Sequence, residues 1–393
     1  MEKIYLVSGK RTAFGSFGGG LKDVSATDLT VAAGKATLEA AGVSADKVDH
    51  TIIGNVVQSG ADAAYVARHV GLKLGIPVDR GAYLINRLCG SGFQSIANAA
   101  EMILTGQAQC VLAGGVEQMS QIPYVARKVR FDGMRMGNFE LEDAMTSALT
   151  DAYTGTPMAI TAENLGEMYG ITRQQCDEYS VLTQQKYKKA LDAGLFKDEI
   201  TPVKITTKKG EVIIDKDEHP KPEVTVEKIG TMKAMFKKDG LVTAATASGI
   251  VDGAACSLIA SESFVKANGL KPMARIVSWA AVGCDPKIMG IGPAPAARKA
   301  LERAGMTMDQ MDLVEVNEAF AAQYLSVEKE LKLNKEKTNV RGGAIAVGHP
   351  LGASGTRIMN LLAYELIKRN AKYALGSACI GGGQGIAMII ERV

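Results

Sequence analysis

The chain has 393 residues, of which 47% are hydrophobic and 22% charged, and a net charge of +3. This composition excludes a disordered chain. The small charge, with a pI near 8.4, excludes a dedicated nucleic-acid binder, whose basic footprint is larger.

A chain of this length is expected to form two or three domains. No apolar run reaches the roughly 18 residues of a membrane span. The first residues, Met1-Glu2-Lys3-Ile4-Tyr5, contain neither a secretory h-region nor an Arg/Ser-rich presequence. Residues 4–7 read as a short strand, and residues 27–41 as a helix after a polar start at Ser25. A β-branched strand is expected at 48–56, and a helix at 63–74 ended by Gly75-Ile76-Pro77. Residues 82–85 read as a strand, 91–105 as a helix ended by Gly106, and 110–114 as an apolar strand buried on both faces. Alternating strands and helices imply an α/β fold with mostly parallel sheets covered by helices.

Past residue 120 the pattern changes. The stretch from Lys186 to Lys238 carries more lysines than acids, which suits either a phosphorylated ligand or a solvated surface. Within it, residues 215–223 read as an exposed, Pro-containing loop. Strands are expected again at 254–260 and, at the end of the chain, at 386–390.

The chain also repeats itself. Leu38-Glu39-Ala40-Ala41-Gly42 matches Leu301-Glu302-Arg303-Ala304-Gly305, an offset of 263 positions. The same offset places Cys89-Gly90-Ser91-Gly92 on Gly352-Ala353-Ser354-Gly355, and the strand beginning at Val111 on Ala374. One offset holding across three separated segments implies an ancient duplication. The expected organisation is an N-terminal half over residues 1–120, completed by about 249–270, an inserted loop domain over 121–248, and a C-terminal half over 271–393.

Cysteines stand at 89, 110, 176, 256, 284 and 379 without a C-x-x-C pair, so reduced thiols in an intracellular compartment are expected. The four histidines form no H-E-x-x-H, so no metal site is expected. Phosphate-binding G-x-G-x-x-G and G-x-x-x-x-G-K-[ST] loops are absent. Cys89 lies between a strand and a helix and is followed by small residues. At a helix N-terminus a thiol is expected to have a depressed pKa and greater nucleophilicity. By location alone a packed, inert cysteine is as good a reading, and that reading is applied to Cys110 and Cys256. The repeat places His349 on Asn86, while Cys379 follows the second half's central strand. Loops at the carboxyl ends of equivalent strands gather on one side, so Cys89, His349 and Cys379 are expected to meet in one cleft. A nucleophilic Cys, a His base and a second thiol suit acyl transfer through a thioester.

Four blocks carry a resemblance: Asn86-Arg87-Leu88-Cys89-Gly90-Ser91-Gly92, Val316-Asn317-Glu318-Ala319-Phe320, the run from Gly342 through His349 to Gly352, and Cys379-Ile380-Gly381-Gly382-Gly383. In this order they resemble the signature blocks of the thiolases over nearly the whole chain. Pro157-Met158-Ala159 and the segment 313–320 carry a closer likeness to the mitochondrial type of 3-ketoacyl-CoA thiolase. The resemblance implies duplicated α/β halves in a layered αβαβα core with an inserted loop domain. It implies Cys89 as nucleophile, His349 as its base and Cys379 as general acid. An oxyanion site would form from His349 with a water held by Asn317, and another from the backbone N–H groups of Cys89 and Gly381. Pantetheine would lie against Ser248, Met158, Ala319, Phe320 and Met289, with Leu149 and Phe236 nearby and Lys221 toward the nucleotide end. For the Met and Phe residues ordinary core packing is an equal reading.

On this resemblance coenzyme A is a substrate, and no cofactor is expected. The partners are acyl-CoA and further copies of the chain, a dimer of dimers bridged in part by residues 121–137, with no nucleic acid. The expected location is a bacterial cytoplasm or the mitochondrial matrix. Relatives acting on short acetoacetyl substrates usually show His-Met-Gly at 157–159. The block before Ser248, usually Gly-Asn-Ala-Ser-Gly, is here Ala245-Thr246-Ala247-Ser248-Gly249. The leading expectation is thiolytic cleavage of 3-ketoacyl-CoA, reversible as a Claisen condensation. A biosynthetic acetoacetyl-CoA thiolase is the first alternative. A decarboxylating ketoacyl synthase is disfavoured by the second cysteine, and a non-catalytic acyl-CoA binder is the remaining class.

Overall fold

The computed structural model describes every residue except Met1, Asp132, Met134, Arg135, Lys208 and Lys209. Three of these belong to the expected bridging segment 121–137, which to that extent lies outside the described residues.

In the first half β1 (Ile4–Thr12) is followed by α1 (Ala26–Ala41), β2 (His50–Gly54), α2 (Val66–Leu74), β3 (Gly81–Ile85), α3 (Ser91–Leu104) and β4 (Cys110–Glu117). Helix α1 starts where Ser25 accepts the Asp28 N–H and ends where Gly42 turns left-handed at φ 64°. The expected helix at 63–74 begins with a 3₁₀ turn over Ala63–Tyr65 before α2. The excursion that follows carries α4 (Met158–Tyr169) and α5 (Arg173–Asp192), the latter opened by a Thr172/Gln175 capping box. The chain then returns with β5 (Val251–Ser261) to lie beside β4.

The second half supplies β6 (Ala274–Gly283), α6 (Pro293–Ala304), β7 (Leu313–Val316), α7 (Ala321–Leu331), the short α8 (Ala344–Val347), α9 (Leu351–Arg369), β8 (Tyr373–Ile380) and β9 (Gln384–Arg392). The repeat holds in three dimensions: β4 and β8 both begin and end 263 positions apart. At the position of edge strand β3, α8 stands instead.

The strands join in the order β7-β8-β9-β6-β1-β5-β4-β2-β3. The two halves meet edge to edge through a short β1/β6 pairing, Tyr5 with Arg275 and Leu6 with Ala274. The expectation of mostly parallel sheets is corrected. Only β7/β8, β4/β2 and β2/β3 are parallel along this path; the central pairs are antiparallel. The reason is visible in the second half, where β8 returns directly as β9 through Gly382 (φ 77°) and Gly383 (φ 84°), a hairpin rather than a crossover. In the first half the same antiparallel pairing is made by β5 after the excursion.

Helices α3 and α9 pack on each other and on strands of the sheet, while α1 covers β1, β5 and β4 and α6 covers β6, β9 and β8. The glycines make the central contact possible. A Cβ on Gly355 would lie 2.3 Å from the Phe93 nitrogen, and one on Gly92 2.6 Å from the Thr356 nitrogen. Their loss of side chain lets two helix backbones touch.

The tract 215–223, expected as an exposed loop, is anchored. The Asp217 carboxylate accepts from both terminal nitrogens of buried Arg11 at 2.7 and 2.9 Å and from the Phe14 N–H at 2.8 Å. A buried guanidinium requires such partners, and the excursion supplies them.

Candidate active site

The strand β3 delivers the chain into a tight turn ahead of α3. Leu88 sits there at φ 47°, a left-handed conformation that costs a non-glycine residue about 1–2 kcal/mol. The Asn86 Oδ1 accepts its N–H at 2.9 Å, and Asn86 Nδ2 donates to the Val56 carbonyl at 2.9 Å. The Ser91 hydroxyl accepts from the Arg87 N–H at 2.8 Å and donates to the Leu88 carbonyl at 2.7 Å. This turn presents Cys89, half-buried, against an apolar cluster of Val56, Met119 and Leu351, with Ile122, Met145 and Leu149 beside it.

The other half reaches the same sulphur. The backbone N–H of Gly381 lies near enough to the Cys89 sulphur to favour its thiolate, as does the N–H of Cys89 itself. A Cβ on Gly381 would lie 3.2 Å from Leu88 Cδ1 and 3.4 Å from Met158 Sδ, so a side chain would crowd this approach. N–H groups near this sulphur suit a developing oxyanion on a carbon bonded to it.

The expected depression of the Cys89 pKa is corrected. Burial pushes the thiol up to about 11, and the two N–H contacts only partly offset that; the Glu117 charge adds to the rise. The helix end lies two residues on, at Ser91, and apolar enclosure outweighs its dipole. Cys89 is therefore a thiol rather than a thiolate at neutral pH.

His349 follows α8 and Gly348. Gly348 is left-handed at φ 94°, and a Cβ there would lie 2.4 Å from Val251. The Ser354 hydroxyl donates to the Pro350 carbonyl at 3.0 Å and lies 2.6 Å from His349 Nδ1. With its own proton used, the hydroxyl accepts from the ring, so Nδ1 carries the hydrogen and Nε2 the lone pair. Asn317 Nδ2 donates to that Nε2 at 3.2 Å. Burial, with a contribution from the Arg357 charge, lowers the His349 pKa to about 3. The imidazole is neutral, with a basic nitrogen available.

Asn317 follows β7, and its N–H donates to the Ser377 carbonyl at 2.9 Å. Its Oδ1 is buried without a protein partner among the described residues. Cys379 lies in β8, fully buried with Met289 and Ala319 and bordered by Met158 and Phe320. Burial, then the neighbouring Cys89 and Cys284 thiols, raises its pKa well above the usual value, so it holds its proton. Cys89 and Cys379 are thus neighbouring protonated thiols, and the imidazole held by Asn317 and Ser354 is neutral.

Of the residues expected around coenzyme A, Met158, Ala319, Phe320 and Met289 surround Cys379. Leu149 borders the Cys89 cluster, and its carbonyl accepts the Met158 N–H at 2.9 Å. The Ser248 N–H donates to the Ala319 carbonyl at 3.0 Å. Lys221 and Phe236 are not drawn into that cluster; both are exposed on the excursion, where the Lys221 N–H donates to Gln184 Oε1 at 2.9 Å. Among the described residues no group of His, Cys, Asp or Glu is arranged to hold a metal. No described helix is long and apolar enough to cross a membrane.

The residue-by-residue reading missed Ser91, Ser354 and Asn86 as supports. The repeat contained the signal: Ser91 and Ser354 are 263 positions apart, as are Asn86 and His349. Each serine, in the first turns of α3 or α9, fixes the loop ahead of it. In one half that loop carries Cys89, in the other His349.

Residues 4–263 match the family described as thiolase, N-terminal domain, and residues 270–392 match thiolase, C-terminal domain. The chain is 54% identical over 392 residues to the mitochondrial 3-ketoacyl-CoA thiolase of Homo sapiens, covering 100% of this chain and 98% of that protein. It is 45% identical to an acetyl-CoA acetyltransferase of Rhizobium meliloti (strain 1021), over 99% of both chains. The crystal structure of human mitochondrial 3-ketoacyl-CoA thiolase in complex with CoA superposes with a TM-score of 0.96 at 53% identity, covering 100% of this chain and 98% of that one.

Proposed function

This chain belongs to the thiolase family, and on that premise we propose that Cys89, His349, Cys379, Asn317 and Gly381 carry out its reaction. It is an acyltransferase that cleaves 3-ketoacyl-CoA with CoA. His349 Nε2 takes the Cys89 proton as the sulphur attacks the 3-keto carbon. The N–H groups of Cys89 and Gly381 stabilise the resulting oxyanion. The bond between C2 and C3 breaks, leaving the acyl group on Cys89 and the enolate of acetyl-CoA. Donors from His349 and a water on Asn317 hold the enolate oxygen, and the Cys379 thiol protonates its carbon.

The incoming CoA thiol then returns a proton to Cys379. Its sulphur attacks the thioester, and Cys89 leaves, recovering its proton from His349. The ionisation states in the cleft suit these steps: Cys379 starts as an acid, His349 as a base, and Cys89 as a thiol activated only at attack. The Asn317–His349–Ser354 chain, with Nδ2 at 3.2 Å from Nε2 and the hydroxyl at 2.6 Å from Nδ1, carries this reading, since it leaves a buried neutral imidazole with its Nε2 lone pair free to take a proton.

Coenzyme A acts as substrate. Its pantetheine is placed against Met158, Met289, Ala319 and Phe320, bounded by Leu149 and Ser248, with Phe236 and Lys221 toward the outer end. CoA-dependent thiolysis of 3-ketoacyl-CoAs from four to sixteen carbons tests the assignment, with Cys89→Ala as blank. Activity lost in the blank is expected; equal activity in the blank would refute the catalytic roles of these residues. The similarity to an acetyl-CoA acetyltransferase supports a second reading, preference for the four-carbon substrate, and the chain-length profile decides it.

Assembly into a homo-oligomer, a dimer of dimers, is part of the proposal. Tyr124, Phe131, Met136 and Phe139 stand exposed in the excursion, an apolar surface of the kind that partners cover. A monomer at micromolar concentration in analytical ultracentrifugation would refute it. The mitochondrial relative supports a matrix location and the bacterial relative a bacterial cytoplasm, which cell fractionation distinguishes.

A further inference from the structure

Glu117 ends β4, is 0% exposed and takes no part in the proton transfers or bond-making steps of thiolysis. Its Oε1 accepts from the Val57 N–H at 2.9 Å and from Asn55 Nδ2 at 3.1 Å. Its Oε2 accepts from the Gly352 N–H at 2.9 Å and from the Val56 N–H at 3.2 Å. All four partners are donors, a set that suits the carboxylate and leaves no acceptor for a carboxyl proton.

Those donors belong to two structures with separate tasks. The Val56 carbonyl holds Asn86, which holds the turn at Leu88 ahead of Cys89. Gly352 lies in the first turn of α9, the helix whose Ser354 holds His349. The N-terminal residue Pro350 offers α9 no side-chain cap. A carboxylate brought from the other half fills that need and is favoured by the helix dipole. At the matching place in the repeat, the end of β8, stands Ile380. The duplicated fold therefore accommodates an apolar residue at this strand end, and a buried acid at Glu117 answers a local need.

We propose that Glu117 is a positioning residue whose carboxylate clamps the nucleophile loop of one half to the base-bearing helix of the other, and so sets the alignment of Cys89 with His349. The proposal rests on the roles assigned to those two residues. Burial raises the Glu117 pKa to about 7, and its backbone N–H donors pull it back down. As a carboxylate it adds a minor part to the rise of the Cys89 pKa, which burial dominates. The clamp thus fixes a distance and contributes to an ionisation state.

Two variants separate these effects. Glu117→Gln keeps the shape, removes the charge and sets an amide N–H₂ against N–H donors. Glu117→Asp keeps the charge but is one methylene short of bridging both sides. Each is expected to lower kcat roughly 10- to 100-fold, the scale of a small misplacement of reacting groups, with KM for CoA within about twofold of the parent. The pH midpoint of Cys89 alkylation by iodoacetamide should fall in Glu117→Gln and stay in Glu117→Asp. A kcat within twofold of the parent in both folded variants would overturn the proposal. So would loss of folded protein in both, or an unmoved alkylation midpoint in Glu117→Gln, each of which makes Glu117 a packing residue. Parent thiolysis and its loss in Cys89→Ala are measured alongside. A parent without activity or Cys89 labelling refutes the active-site reading, whereas failure confined to the Glu117 variants refutes the clamp.

Discussion

His349 keeps its lone pair on Nε2 because Ser354 occupies Nδ1, and this serine offers the sharpest test at the residue scale. Ser354→Ala leaves the ring N–H unpaired in a buried site and frees the imidazole to rotate or change tautomer. The expected result is a kcat lower by roughly tenfold or more, since a positioned base is worth about 10²–10⁴, with KM for CoA little changed. Steady-state thiolysis checks this, and a kcat within twofold of the parent would sink it. The residue types at the site were legible in sequence, because Cys89, His349 and Cys379 fall at loop or strand ends in a duplicated pattern. Their acidity was not. A helix N-terminus argued for a low Cys89 pKa, whereas enclosure by residues distant in sequence pushes it to about 11. Glu117 was equally hidden, because its partner Gly352 is 235 positions away.

At the scale of elements, the glycine clusters record how closely α3 and α9 approach. Gly355→Ala places a methyl within 2.3 Å of the Phe93 nitrogen, a backbone atom that cannot step aside as a flexible side chain would. The expected loss is about 3 kcal/mol or more, the upper range for overpacking, read from the urea midpoint. An unchanged midpoint would show that the helices separate freely. Because the two helices also carry Ser91 and Ser354, their spacing sets that of the loops bearing Cys89 and His349. Hydrophobic periodicity located α3 and the strands β4, β5 and β9 to within a few residues. It could not report strand direction, because an apolar run looks the same in a parallel and an antiparallel pair. The replacement of an edge strand by α8 was also hidden: the Ile345 N–H at its start donates to buried Glu318 at 3.0 Å, a contact across 27 positions.

For the whole molecule, a buried neutral histidine couples stability to pH. His349 has a pKa of about 3 when folded against an ordinary value of 6.5. Between these values the unfolded chain binds the extra proton, so stability falls as pH falls through that window. By pH 5 this one residue accounts for about 2 kcal/mol of the loss relative to neutral pH. Urea unfolding at pH 7 and pH 5 should show it, and His349→Gln should reduce the difference by about that amount. Equal pH dependence in parent and variant would place the acid sensitivity elsewhere.

The amino-acid sequence by itself determined the duplication, the order of strands and helices in the first half, the excursion inserted into that half, and which residue types stand at the turns. These are local properties, written in periodicity, turn residues and one repeated offset. Tertiary structure alone decided that Gly381 of one half reaches Cys89 of the other, that Ser354 selects the tautomer of His349, and that burial keeps both thiols protonated. Those outcomes depend on through-space distance and exclusion of water, set when residues hundreds of positions apart pack together, and no short stretch of chain encodes them.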